Sequence, residues 1–235
     1  MSVPLIRWDA PGPYTVAFST RLGGVSEGSF ESLNLGRRTR DNPENVDENR
    51  RRLCASVGVE PELLALNRQV HGTTVNRAEP GDRTKDGDGL WTDEAGVPML
   101  AFSADCLPIA VVRVNSSPGL ALLHAGRLGL LAGIVQAGAS ALDGRLAAIV
   151  GPGIGPCCYE VGEDILAAYR ARFGSDVVRG RNLDLWTAAE RVLDEAGVDA
   201  VERLDVCTAC NADRFFSHRR DGALTGRQGV IGFVA

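Results

Sequence analysis

Met99-Leu100-Ala101-Phe102-Ser103-Ala104-Asp105-Cys106-Leu107-Pro108-Ile109-Ala110-Val111-Val112 carries two apolar runs broken at Ala104-Asp105-Cys106, and Gly119-Leu120-Ala121-Leu122-Leu123-His124-Ala125-Gly126 adds a third that ends on a histidine. Short apolar and β-branched runs of this kind predict buried strands over Met99 to Ser103, Ile109 to Val114 and Gly119 to Leu123. Cys106 and His124 then fall at strand edges. A buried strand fixes the backbone behind such a side chain, and the adjoining loop leaves its tip open to a ligand.

Working outward, Leu128 to Leu142 is apolar on most faces and predicts a largely buried helix, followed by a strand over Leu146 to Val150. Strand, helix, strand at this spacing reads as a crossover unit with parallel strands. Ligands gather beyond the carboxyl ends of such strands, where His124 and the loop Gly151-Pro152-Gly153-Ile154-Gly155-Pro156 belong. That loop lacks the lysine and hydroxyl residue of a Walker phosphate loop. Upstream, Val16 to Thr20 predicts a strand, and Gly23-Gly24 permits a tight turn or a close approach to a ligand, with Ser26 as a substrate-binding candidate beside it. Asp41-Asn42-Pro43-Glu44 reads as a helix start, and that helix should stop at Gly58. Leu63 to Val70 predicts a strand leading to His71-Gly72. Asp82 to Asp88 lacks the glutamate of a helix-loop-helix calcium cage and reads as an exposed turn. Glu163 to Phe173 and Leu185 to Ala196 predict amphipathic helices, and Val201 to Val206 and Gly229 to Val234 predict strands.

A chain of 235 residues with 44% hydrophobic content reads as a single domain, 1–235, with a substantial core. Its net charge of -5, from 25 basic and 30 acidic residues mixed along the chain, argues against a nucleic-acid footprint or a basic membrane patch. Met1 to Asp9 has no leader pattern, and no apolar run approaches the roughly 18 residues of a membrane span. Six cysteines are few for this length, so a reduced, cytoplasmic setting is expected.

His71, Cys106 and His124 each end an apolar segment. Two imidazoles and a thiolate suit an open zinc site, in which three protein ligands leave a fourth position for water or a substrate oxygen. Cys106 with His124 also makes a metal-free pair, the imidazole taking the thiol proton, with Asp105 as the group that could orient the histidine or else cap a turn. Buried packing is the alternative for each. Cys207 and Cys210 have a Cys-x-x-Cys spacing without a second such pair; Cys157 and Cys158 are adjacent and are not expected to supply one, so these are read as packing thiols. Arg68, Arg127, Arg219 and Arg220 are anion-binding candidates, because a guanidinium grips phosphate through two parallel hydrogen bonds.

Phe18 to Ser26, Ser32 to Gly36, Arg68-Gln69-Val70-His71-Gly72, Ala104 to Pro108, His124-Ala125-Gly126, Gly151-Pro152 with Ile154 to Gly162, and Phe215 to Asp221 with Thr225 to Gln228 occur in that order. This series resembles the laccase-domain, or multicopper polyphenol oxidase, family, which includes bacterial purine nucleoside phosphorylases and the peptidoglycan editing factor. The resemblance implies an α+β fold with mixed β-sheets between helices, similar to the catalytic domain of cytotoxic necrotising factor. It also implies a metal site at His71, Cys106 and His124, and a zinc-dependent purine nucleoside phosphorylase taking adenosine, inosine and methylthioadenosine, with adenosine deamination as a second activity. One departure stands out. Where the family has Trp-Arg-Gly after the His-Ala-Gly motif, this chain has Arg127-Leu128-Gly129, and one position on a helix turns a side chain through about 100 degrees.

Three histidines, even with added cysteines, are too few for a multicopper centre, which excludes a laccase. Copper remains a substitute at the zinc donors. The expected partners are a purine nucleoside and phosphate. Against this stand a cysteine amidase editing a peptidoglycan precursor through Cys106 and His124, and a non-enzymatic metal-carrying domain.

Overall fold

The computed structural model describes residues 3–235; Met1 and Ser2, the start of the stretch read for a leader, lie outside the described residues. In chain order the first strands and helix are β1 (Leu5–Trp8), β2 (Tyr14–Ser19), α1 (Pro43–Val57), β3 (Ala65–Leu66), β4 (Val75–Arg77), β5 (Gly89–Thr92) and β6 (Met99–Ser103). Then come β7 (Leu107–Arg113), β8 (Leu120–Ala125), α2 (Arg127–Ala132), α3 (Ile134–Ser140), β9 (Leu146–Val150) and α4 (Glu163–Phe173). The chain closes with β10 (Val178–Arg179), β11 (Asn182–Leu183), α5 (Leu185–Glu195), β12 (Val198–Arg203), α6 (His218–Asp221) and β13 (Gln228–Val234).

Alternation along β7 shows how the layers stack. Ile109 and Val111 face one way and join Leu123, Val150, Ile134, Tyr169 and Val192, so this side of the sheet is covered by α2 to α5. Ala110 and Val112 face the other way and meet Phe18, Met99 and Val230 of a second sheet. That sheet's far face, including Ala17, Leu100 and Ile231, is covered by Leu53 and Cys54 of α1 and by Leu33 and Leu35. The result is an α+β domain of helix, sheet, sheet and helices. Both sheets are covered on two sides, which is why central strands such as β6, β7, β8 and β9 are almost continuously apolar. Truncating a fully buried residue such as Ile109 to alanine should cost about 2–5 kcal/mol.

The six-stranded sheet has the order β12-β9-β7-β8-β5-β4 and the five-stranded sheet β1-β2-β13-β6-β3. The crossover from β8 to β9 joins parallel strands, as expected, with β7 lying between them and antiparallel to both. Adjacent parallel pairs are β9 with β12, joined through α4 and α5, β3 with β6, and β4 with β5. The single helix expected over Leu128 to Leu142 is two helices, divided at Gly133 with φ 101°, a left-handed conformation that glycine adopts without penalty.

Helix α1 begins and ends where its caps dictate. The Asn42 side chain accepts the Glu44 N–H, Pro43 occupies the first turn, and Gly58 adopts the left-handed conformation at the end. The strand expected over Leu63 to Val70 shrinks to β3, because beyond Leu66 the chain bends toward Asp82 to Gly87 through an isolated bridge of Arg68 with Asp86. The strand expected at Val201 to Val206 lies three residues earlier, as β12 at the edge of the six-stranded sheet. No helix among the described residues is long and apolar enough to cross a membrane.

Candidate metal centre and its cavity

Register brings the reactive groups together. Leu107 pairs with Ala125 and Pro108 with His124, so Cys106, immediately before β7, lies beside the end of β8. His71 arrives from the loop after β3. Both the His71 backbone (φ 61°) and that of Asp105 (φ 89°) are left-handed, a conformation that persists in a non-glycine residue only where surrounding contacts hold it.

The contacts that hold His71 come from Asp88, which is 1% exposed. Its carboxylate accepts the backbone N–H groups of Val70 at 3.1 Å, His71 at 3.0 Å and Gly72 at 2.7 Å. The same carboxylate accepts Nδ1–H of His124 at 2.8 Å, which leaves Nε2 of that ring to interact with Cys106. Burial alone would raise the Asp88 carboxyl, but the His124 hydrogen bond and the N–H groups of Gly72 and Val70 together hold it below the usual carboxylate range. One buried carboxylate thus shapes the His71 loop and orients His124.

Donor nitrogens and sulfur of His71, Cys106 and His124 all lie within 4.8 Å of one another. Cys106 Sγ is 4.0 Å from His71 Nε2, and the two imidazole rings meet edge to face at 4.9 Å. Gly126 keeps this space open, since a Cβ there would stand 2.9 Å from Cys106 Sγ and 3.2 Å from His71 Cδ2. Burial pushes the Cys106 thiol up, but the charge and hydrogen bond of His124 and the neighbouring His71 outweigh it and bring the thiol down to about 6. Burial pushes His124 down, and the Cys106 thiolate with Asp88 overcomes this and raises it to about 9. Both shifts favour the thiolate form of Cys106 and the imidazolium form of His124. Two imidazoles and one thiolate converging from separate segments, one imidazole backed by a carboxylate, form a donor set that can hold a metal ion with a side left open.

The site opens into a cavity of about 860 Å³ lined by seven arginines, Arg37, Arg38, Arg50, Arg68, Arg83, Arg219 and Arg227, against the single carboxylate of Asp105. Arg37 pairs with Asp47 and Arg68 with Asp86. The other five have no carboxylate within ion-pair distance among the described residues. Arg50 lies over the Phe102 ring at 5.1 Å, and burial pushes it down to about 10, which leaves it charged at neutral pH. Burial likewise lowers Arg227, with Cys106 and Asp105 pulling it back up.

Several sequence expectations are corrected here. Asp105 does not orient His124: its oxygens accept Thr208 Oγ1–H at 2.7 Å and Arg219 N–H at 2.6 Å, while Asp88 takes the orienting role. Asp88 was assigned to an exposed turn. The clue to its burial was its position directly before the apolar strand β5. Ser26 lies outside the cavity lining, bonded to Asp41 at 2.6 Å and to Asn49 at 2.8 Å. Arg127 is also outside the lining, as is Leu128, which is 50% exposed. Arg68 and Arg219 line the cavity, whereas Arg220 is turned onto the carbonyls of Thr208, Ala209 and Phe215. Arg50, Arg83 and Arg227 escaped sequence reading because they come from distant segments and no local motif marks them.

A model of the multi-copper polyphenol oxidoreductase laccase family matches residues 15–234. A purine nucleoside phosphorylase of Pseudomonas aeruginosa is 38% identical over 231 residues, covering 94% of this chain and 93% of that protein. Purine nucleoside phosphorylase YfiH of Escherichia coli is 34% identical over 232 residues, covering 94% of each. The crystal structure of YlmD from Geobacillus stearothermophilus superposes with a TM-score of 0.89 at 32% identity, over 98% of this chain and 96% of that one. His71, Cys106 and His124 lie within the matched span, and the chain belongs to the multi-copper polyphenol oxidoreductase laccase family.

Proposed function

We propose that this protein is a zinc-assisted purine nucleoside phosphorylase acting on adenosine, inosine and methylthioadenosine, with adenosine deamination as a second activity. Relatives named purine nucleoside phosphorylase over almost the whole chain support this reading. The observation that carries it is the meeting of the His71, Cys106 and His124 donors with unpaired guanidiniums in one cavity. A volume of about 860 Å³ suits a nucleoside together with an anion. When bound, zinc supplies a Lewis-acidic charge that orients an anionic oxygen or water.

The chain's own residues then act as follows. Arg227, Arg219, Arg50, Arg83 and Arg38 draw phosphate in and offset its charge, and Phe102 and Tyr159 are the aromatic rings in the lining that can meet a base. A phosphate oxygen bonds to the anomeric carbon as the bond from that carbon to the purine nitrogen breaks, and the purine leaves with the electron pair and gains a proton. In deamination, water adds to the purine carbon bearing the amino group and ammonia leaves. Copper at the same donors is the substitute that this ligand set permits.

A second reading is favoured by one specific arrangement: Cys106, His124 and Asp88 stand in the order nucleophile, base and orienting acid. That order suits a thiol amidase acting on a cell-wall precursor. Chelation separates the two. Inosine phosphorolysis should vanish in metal-stripped protein and return with zinc; amide cleavage that persists without metal and stops on alkylation of Cys106 would replace the phosphorylase, and absence of any turnover would leave a metal-carrying domain.

A further inference from the structure

The cysteines read as packing thiols come together. Cys157, Cys158, Cys207 and Cys210 have their sulfurs all within 4.8 Å of one another, with no histidine or carboxylate in the group. Cys210 Sγ lies 3.4 Å from Cys157 Sγ and 3.3 Å from Cys158 Sγ. A disulfide needs about 2.05 Å, whereas four sulfurs on a zinc ion at roughly 2.3 Å stand about 3.8 Å apart. The two separations from Cys210 lie well above the disulfide length and within about 0.5 Å of that tetrahedral edge. Adjacency of Cys157 and Cys158 does not prevent this, because the chain turns there and presents both sulfurs to the same point.

The surrounding backbone is built around the sulfurs. Cys207-Thr208-Ala209-Cys210 forms a tight turn in which Asn211 N–H and Nδ2–H both donate to the Cys207 carbonyl, at 3.3 Å and 2.8 Å. Gly155 N–H donates to Cys207 Sγ at 3.3 Å, the kind of donation that stabilises a thiolate. Gly153 and Cys207 form an isolated bridge, and Thr208 N–H reaches the Gly153 carbonyl at 3.1 Å, which fastens the two cysteine segments side by side. The Arg220 guanidinium, itself paired with Asp221, donates to the carbonyls of Thr208 and Ala209 at 3.0 Å and 3.3 Å and so fixes the turn.

We propose that these four cysteines form a second, tetrathiolate metal site that takes zinc. Zinc bonds to four sulfurs and the thiol protons pass to solvent, with no change of oxidation state. All four positions are filled by protein, so the site is structural rather than catalytic. It ties the Cys157-Cys158 loop, which continues to the cavity residue Tyr159, to the turn whose Thr208 holds Asp105. The site is independent of the activity proposed above.

The test compares native protein, His71→Ala and the double variant Cys157→Ser with Cys210→Ser, each loaded with zinc under reducing conditions and desalted. Both replaced cysteines are exposed, so the core is untouched. Elemental analysis should find one zinc per chain more in native protein than in the double variant, and zinc should raise the melting temperature of His71→Ala but not that of His71→Ala combined with Cys157→Ser and Cys210→Ser. Cobalt loading provides a second measurement: thiolate-to-cobalt charge-transfer bands of tetrahedral character should survive His71→Ala and lose most of their intensity in the double variant. Equal zinc content in native and double-variant protein with no change in the cobalt spectrum would overturn the proposal, as would a Cys157 to Cys210 disulfide by mass spectrometry in freshly reduced protein reoxidised in the presence of zinc.

Discussion

The Asp88 carboxylate and the His124 imidazole, 36 residues apart in sequence, meet at 2.8 Å in a buried hydrogen bond, and the same carboxylate caps the three N–H groups of the His71 loop. Asp88→Asn keeps the volume but loses the charge. Zinc affinity should fall about 10- to 100-fold, the usual effect of removing a carboxylate behind a ligating histidine. A competition titration measures this, and unchanged affinity would show that the Asp88 contact plays no part in metal binding.

Cys106→Ala and His71→Ala should each sharply reduce the metal bound at this centre, because two remaining donors seldom hold zinc. The layered core does not depend on the centre, so both variants should fold with far-ultraviolet circular dichroism like that of the native chain. Retention of full zinc at the His71, Cys106 and His124 centre would remove the ligand assignment.

Arg227→Gln should raise the KM for phosphate about 10- to 100-fold, corresponding to roughly 1.5–3 kcal/mol for a lost charge-assisted hydrogen bond. Arg68→Ala should have a smaller effect in the same direction, because Asp86 already engages that guanidinium. Steady-state rates at varied phosphate and fixed inosine decide this. A larger effect at Arg68 would reverse the ranking.

Arg127→Trp with Leu128→Arg restores the order common in the family. Neither position lines the cavity, so the ratio of inosine phosphorolysis to adenosine deamination should remain unchanged. A selective rise in phosphorolysis would mean that this helix end reaches the anion when substrate is bound.

In metal-stripped protein, the rate of Cys106 alkylation should rise with pH through an inflection at about 6, since the thiolate held by His124 and His71 is the reactive form. Cys54 should lag far behind, its thiol being buried and pushed up to about 11. Peptide mapping of iodoacetamide-treated protein distinguishes the two. An inflection of Cys106 near the ordinary thiol value would show that the imidazoles do not hold the thiolate, and zinc should protect this cysteine at neutral and higher pH, where its ligands are deprotonated.

Local chemistry alone determined a good part of this molecule. Strands β6 to β9 follow from apolar runs too short for helices, and α1 from a capping asparagine, a first-turn proline and a terminal glycine, because those signals act within a few residues. The ordered motifs likewise singled out His71, Cys106 and His124. Tertiary structure decided what lies around them. Asp88 became the orienting carboxylate because β5 pairs with β8 and brings it beside His124. Arginines from α1, α6, the loops and the residue before β13 converge on one cavity, and Cys157-Cys158 meets Cys207 and Cys210 beside a bridge of Gly153 with Cys207. Each of these contacts joins residues that periodicity and capping cannot relate, since such signals carry no information about which distant segments the packed sheets place side by side.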